Sequence, residues 1–258
     1  MKIAVSGKGG VGKTTILALL ASELARTLDE VLVIDADPSP HMAQTLGLEG
    51  VERVTPIAEM RELLVERSGK VEGSPFYNIN PRIDDLPVRF MLRRDRIRLM
   101  VLGAIQSANK GCACPENLVL KRLLTKLLLS GTEAILIDME AGVEHLGRGT
   151  LAGVDHLLVV VIPTRSGART AIKIRELAVE VGIRDIAYVG NLVTGPDDEA
   201  FLAEALGEAP IACFPDSTEL RKAERDGKAV PEIASHFATV SRRILETLAA
   251  RRSARTTA

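Results

Sequence analysis

The run Gly7-Lys8-Gly9-Gly10-Val11-Gly12-Lys13-Thr14 fits G-x-x-x-x-G-K-[ST], the pattern that wraps a main chain around phosphate oxygens. Glycines carry no Cβ, so the backbone approaches the phosphates closely and turns its N–H groups inward. The run opens a helical pattern from Lys13 to about Leu28, and a helix N-terminus favours an anion. Lys13 then supplies a full positive charge at the β- and γ-phosphates, and the Thr14 hydroxyl is placed to bind Mg²⁺. The same stretch also fits G-x-G-x-x-G through Gly7, Gly9 and Gly12, with Asp35 about where a dinucleotide fold carries its ribose-binding acid. The phosphate-loop reading is preferred, because a dinucleotide site has no need of Lys13-Thr14-Thr15 directly after the last glycine.

Three further groups could do chemistry. Asp35-Ala36-Asp37-Pro38 closes the apolar run Val31–Ile34, at the end of a strand where α/β sheets bind ligands. A plain acidic turn before proline is the alternative. Asp138 closes a second apolar run from Glu133 and fits the acid that holds Mg²⁺ through water. The residues after it, Met139 to Gly149, read as a switch segment in which Gly142 lets the backbone approach the γ-phosphate and rearrange after its loss. Cys112 and Cys114, in Lys110-Gly-Cys-Ala-Cys-Pro115, sit among neighbours that do not suggest core. Two thiolates so close can chelate one soft or borderline metal ion, but a closed thiolate site needs four. A two-fold dimer would supply the other two. Redox thiols or a structural role are the alternatives.

The elements that must carry these residues alternate strand and helix. Strands are expected at the N-terminal run, Val31–Ile34, Ile97–Gly103, Glu133–Asp138, His156–Ile162, Ile186–Asn191 and Pro210–Asp216. Helices are expected at Ile57–Glu66, Asn117–Leu129, Ser166–Val181 and about 231–250, with a frayed tail from Arg251. Gly69–Arg96 has no clear period and reads as irregular. Its arginines, with Arg98 (Arg89, Arg93, Arg94, Arg96), read as a solvated face, or else as a docking surface for an acidic partner. The terminal helix reads as docked on the domain rather than on a membrane. The expectation is one three-layer α/β domain over residues 1–258, a P-loop fold with a mostly parallel sheet. The chain has 258 residues, formal net charge −1 and three cysteines. That balance argues against a general nucleic-acid surface, and the odd cysteine count against a disulfide framework. With no bilayer-length apolar run and no leader pattern, a cytoplasmic protein is expected.

Lys8 is not required by an ordinary phosphate loop. With it, Lys8-Gly9-Gly10-Val11-Gly12-Lys13-Thr14-Thr15 resembles the deviant loop of the dimeric ATPases that include the nitrogenase iron protein and the division-site and partition ATPases. The resemblance implies a homodimer in which Lys8 reaches the partner's ATP, with Lys8, Lys13 and Asp37 catalytic and Asp37 positioning the attacking water. It also implies ATP or ADP and Mg²⁺ bound by Gly7 through Thr15, Asp138 and Gly142, with Asn191, Pro215 and Asp216 at the adenine. Leu192 stands where that superfamily usually has lysine, in an Asn-Lys pair. The C-x-C together with Asp138-Met-Glu-Ala-Gly-Val-Glu-His-Leu-Gly-Arg-Gly149 is similar to the ATPases that mature carbon monoxide dehydrogenase by assisting nickel insertion, the CooC type. That similarity implies nickel or zinc on Cys112 and Cys114 of both chains, and carbon monoxide dehydrogenase as client. His145 reads as a hydrogen-bonded switch residue or a further ligand. A membrane- or DNA-positioning ATPase and an iron–sulfur electron donor are the other function classes.

Overall fold

The computed structural model describes residues 1–37, 39–50, 54–69, 80–103, 115–140 and 153–256. One eight-stranded sheet runs through them in the order β3-β4-β2-β5-β1-β6-β7-β8. The strands are β1 (Lys2–Gly7), β2 (Val31–Asp35), β3 (Met91–Arg94), β4 (Ile97–Val101), β5 (Ala134–Asp138), β6 (His156–Val161), β7 (Ile186–Val193) and β8 (Ala212–Pro215). All neighbouring pairs are parallel except β3 with β4. Parallel strands need crossovers, and the helices that make them cover both faces.

Successive strand residues therefore feed opposite layers. Ile3 and Val5 of β1, with Val31 and Val33 of β2, pack with α1 (Lys13–Leu24), α2 (Met42–Thr45) and the C-terminal helix. Ala4, Leu32 and Ile34 pack on the other side, with α3 (Arg61–Ser68), α5 (Pro115–Leu128), α6 (Arg165–Glu180) and Leu202 of α7 (Pro196–Leu206). The three-layer expectation is met. The side-chain period of two explains why these strands look apolar throughout.

Three local expectations change. The stretch expected to be irregular contains α4 (Leu86–Phe90) and β3. β3 is a short edge strand whose order comes from pairing, with Arg93 opposite Arg98 and Met91 opposite Met100. Of the arginines in this stretch, Arg89, Arg93 and Arg96 are exposed as expected, while Arg94, like Arg98 of β4, is half-buried. Arg94 Nη1 donates to the Leu46 and Gly47 carbonyls at 2.6 and 3.2 Å. Arg93 bonds the Asp95 carbonyl and Arg96 the Leu28 carbonyl, while Arg98 pairs with Glu30 and Arg89 with Asp85. After α8 (Thr218–Arg225), the C-terminal helix, α9, spans Ala238–Thr256 rather than about 231–250. Two 3-10 turns, Val230–Glu232 and Ala234–Phe237, precede it, the first containing Pro231. The expected frayed tail is helical to Thr256, and Arg251 and Arg252 of that stretch pair with Asp185 and Asp155 at 3.2 and 3.7 Å.

Arg94 closes the C-terminal end of α2, whose last carbonyls have no partner in the helix. Arg94→Ala is expected to cost about 1–2 kcal/mol of stability through those carbonyls, read as a lower urea midpoint with an unchanged slope.

Candidate nucleotide site

The phosphate loop joins β1 to α1 at the C-terminal edge of the sheet. Gly12 is the residue before the helix and lies at φ +89, a left-handed conformation. A Cβ there would fall 2.4 Å from Asn191 Nδ2. Only glycine meets both demands. The same Asn191 amide donates to the Val11 carbonyl at 2.7 Å, so the end of β7 is fastened to the loop. A carbonyl can only accept, which fixes Nδ2 as the atom facing the loop. Lys13 is 7% exposed and Thr14 is half-buried. Gly9, Gly10, Val11, Gly12, Lys13, Thr14 and Thr15 all line one cavity of about 690 Å³.

Beneath the loop lie two acids on neighbouring strands. Asp35 and Asp138 are register partners of β2 and β5, and both are buried. Thr14 Oγ1 donates to Asp138 Oδ2 at 2.6 Å. Asp138 Oδ1 is buried with no hydrogen-bond partner among the described residues. Burial pushes the Asp138 carboxyl up to about 7, with the Thr14 hydrogen bond pulling the other way. Burial also lifts Asp35, to about 6, against the backbone N–H groups of Met42 and Asp37 that donate to its oxygens at 3.0 and 3.2 Å. Each Asp35 oxygen accepts one backbone N–H, so the side chain holds the loop from Asp37 to Met42. A threonine hydroxyl beside an unpaired carboxylate oxygen is a hard-oxygen donor set that fits Mg²⁺.

Asp37 is half-buried on the cavity wall and accepts from Ser39 N at 2.9 Å. Ser39, His41, Gln44 and Thr45 line the same wall, and the sequence reading had missed them. Their only sequence signal is their place a few residues after Asp37. Ser6 Oγ donates to the Glu140 carbonyl at 2.9 Å, holding the chain as it leaves β5. Lys8 is exposed, and its Nζ lies 3.3 Å from Ser166 Oγ at the start of α6. On the far wall Asn191, Leu192 and Phe214 line the cavity. Pro215 and Asp216 follow Phe214, where Asp216 N donates to the Val193 carbonyl at 3.0 Å and its carboxylate pairs with Arg221. The cavity is lined there by Phe214 and Ser217 on either side of them. Cys112, Cys114, Gly142 and His145 lie outside the described residues.

The model of the CobQ/CobB/MinD/ParA nucleotide binding domain matches residues 2–230. The chain belongs to that family. It is 38% identical over 232 residues to the carbon monoxide dehydrogenase accessory protein CooC of Rhodospirillum rubrum, covering 88% of each chain. An uncharacterised ATP-binding protein of Methanocaldococcus jannaschii is 36% identical, over 89% of this chain and 91% of that one. Among solved structures, a ParA family ATPase from Chlorobium tepidum TLS aligns with a TM-score of 0.67 at 18% identity, over 96% of this chain and 98% of that one. That likeness is one of fold. The family and the loop geometry together make this chain a P-loop ATPase. Among the described residues no helix is long and apolar enough to cross a membrane.

The buried Asp138 carboxyl has a consequence for stability. Its folded form keeps a proton up to a pH of about 7, whereas an unfolded carboxyl loses it near pH 4. The unliganded chain therefore loses stability as pH rises from about 4 to 7 and levels off above that. Asp138→Asn removes the Asp138 share of this slope and leaves the smaller share of Asp35, between pH about 4 and 6. At pH 8 without nucleotide it is expected to be more stable than the parent by on the order of 2–4 kcal/mol, with little difference at pH 4. Urea unfolding at the two pH values checks this, and the variant should not hydrolyse ATP.

Proposed function

We propose that this ATPase is an accessory factor for carbon monoxide dehydrogenase that assists nickel insertion. The observation that carries the reading is the 38% identity with CooC over 88% of each chain, in a chain that also holds Cys112-Ala-Cys114. The fold adds support. The cysteine segment connects Gly103, just past the C-terminal end of β4, to Pro115 at the start of α5. That end of β4 lies at the same edge of the sheet as the phosphate loop. Leu102 N and Gly103 N both donate to the Asp35 carbonyl, at 2.8 and 3.2 Å. One residue thus holds both the Asp37 loop and the flank of the cysteine segment.

In this reading ATP draws two chains together, each Lys8 leaving Ser166 for the partner's nucleotide. Cys112 and Cys114 of both chains then complete a four-thiolate site for nickel, or zinc in its place. Gly7 through Thr15 hold the phosphates, with Lys13 countering their charge. Asn191, its Nδ2 already used on the loop, offers Oδ1 as an acceptor to the exocyclic amine of adenine. Pro215 and Asp216 flank the base. Thr14 and Asp138 would hold Mg²⁺, which supplies charge neutralisation at the β- and γ-phosphates. Asp37 orients the attacking water, and Gly142 gives the following segment the freedom to move when the γ-phosphate leaves. Hydrolysis reopens the dimer. A preference of about 10⁴-fold of ATP for the closed form is enough to invert a 1:99 equilibrium. The protein acts in the cytoplasm, with carbon monoxide dehydrogenase as client and neither nucleic acid nor membrane as partner.

Anaerobic nickel titration with and without MgATP is expected to give one tight nickel per two chains, tighter with nucleotide and weaker as pH falls, because thiolates must be deprotonated. Cys114→Ser should lose that binding while still binding ATP. Absence of tight nickel in both nucleotide states would turn the assignment toward a positioning ATPase. Asp37→Ala should bind ATP and lose turnover by about 10²-fold or more, measured as phosphate release at saturating ATP.

A further inference from the structure

An open groove of about 760 Å³ lies at the end of the sheet opposite the phosphate loop. The loop leaves the C-terminal end of β1. The groove instead is lined by Glu30 and Thr132, which precede β2 and β5, and by Arg98 near the start of β4. These strands are parallel, so their starts share one edge. The floor is apolar, since Leu32, Ile83 and Leu127 line it and are themselves buried. Leu129, just past α5, lines the groove and is 73% exposed. Val88 of α4 is 87% exposed and follows Pro87, which is also in the lining. Among the described residues these are the two most exposed large apolar side chains. Single exposed leucines and valines are ordinary on a protein surface. Apolar surface gathered beside one groove and rimmed by polar residues marks an interaction site.

The rim has a sign. Among the described residues Arg82, Arg98, Arg122 and Lys126 line the groove with two acids, Glu30 and Asp84. Arg98 pairs with Glu30 and Lys126 with Asp84. Each acid is thus matched by a cation, and the lining keeps a positive excess in a chain whose formal net charge is −1. That sign narrows what can cover the floor. A second copy meeting the groove about a two-fold axis would set basic rim against basic rim. A nucleic acid would find cations, but no aromatic ring among these lining residues to stack on, and two acids close to its phosphates. A polypeptide with apolar side chains flanked by carboxylates matches both the floor and the rim.

We propose that this groove docks an acidic, apolar segment of a partner protein. The segment's apolar side chains cover the floor together with Leu129 and Val88, and its Asp or Glu residues meet the basic rim. The groove shares no lining residue with the nucleotide cavity, so the partner docks without displacing the nucleotide. The inference depends on neither the nucleotide, the metal nor the client.

The probe is a fluorescein-labelled helical peptide with leucines on one face and glutamates flanking them, followed by anisotropy with the full chain. Its controls are the same peptide with lysine for every glutamate, and polyglutamate without leucines. The Leu/Glu peptide is expected to bind, more weakly as salt rises, and each control roughly tenfold more weakly or worse, because each lacks one of the two matches. Leu129→Ser and Val88→Ser should each weaken the peptide roughly tenfold, the scale of one large apolar side chain losing its cover. Arg82→Glu should weaken it as well. All three positions are exposed, so thermal melts and ATP turnover should match the parent. No binding of the Leu/Glu peptide at roughly 0.1 mM overturns the proposal. So does equal binding of the lysine peptide, or parent-like binding by a folded Val88→Ser, Leu129→Ser double variant. A dimer in sedimentation that is lost in Leu129→Ser would give the groove to a second copy. Tighter binding of single-stranded DNA than of peptide, lost in Arg82→Glu, would give it to a nucleic acid. Either result also overturns the proposal.

Discussion

Two carboxylates buried side by side, Asp35 on β2 and Asp138 on β5, set the terms for everything around them. Burial disfavours the charged form of each, and the Asp35 charge adds to the cost of charging Asp138. Their surroundings compensate unequally. Asp35 accepts two backbone N–H groups, so its charge is spent locally on holding a loop. Asp138 has only the Thr14 hydroxyl on one oxygen and nothing on the other among the described residues. The first is a structural joint. The second is an acceptor kept waiting, and the Lys13 charge nearby only partly offsets it.

The joint at Asp35 extends further than its side chain. Its carbonyl accepts from Leu102 and Gly103, and Ala36 N donates to the Asp138 carbonyl at 3.0 Å. Three strand ends are thereby tied into one rigid corner from which the Asp37 loop, the cysteine segment and the segment after Asp138 all depart.

Much of the fold was legible because it follows from local rules. β1, β2, β5 and β6 are apolar on both faces, and a strand covered on both sides by helices reads that way in any sequence. The phosphate loop was legible because its glycines are demanded by close approach. β3 was not, since Met91-Leu-Arg-Arg94 has neither alternation nor an apolar run and becomes a strand only by pairing with β4. The arginines read as a solvated face, and Arg89, Arg93 and Arg96 are exposed; what the sequence does not show is the distant partner of each half-buried one, Leu46 for Arg94 and Glu30 for Arg98. The apolar stripe of the terminal helix was seen, but its start was placed too early, because the 3-10 turns around Pro231 keep a similar spacing without α-helical hydrogen bonding.

By itself the sequence determined the layer architecture, the loop, the acids at the strand ends and the cysteine pair. Each depends on residue type at short spacing. Only the tertiary structure decided how they are joined. Asn191 meets Val11 across 180 residues, and that contact explains why Gly12 admits no side chain. Asp35 anchors a loop, because its two oxygens accept from the backbone N–H groups of Asp37 and Met42, contacts that no spacing rule reveals. Leu192 was visible as a missing lysine. Its left-handed backbone, at φ +55, and the one residue that β7 carries beyond β8 between Gly190 and Val193 came from the pairing of two strands, whose register arises only when distant segments pack together.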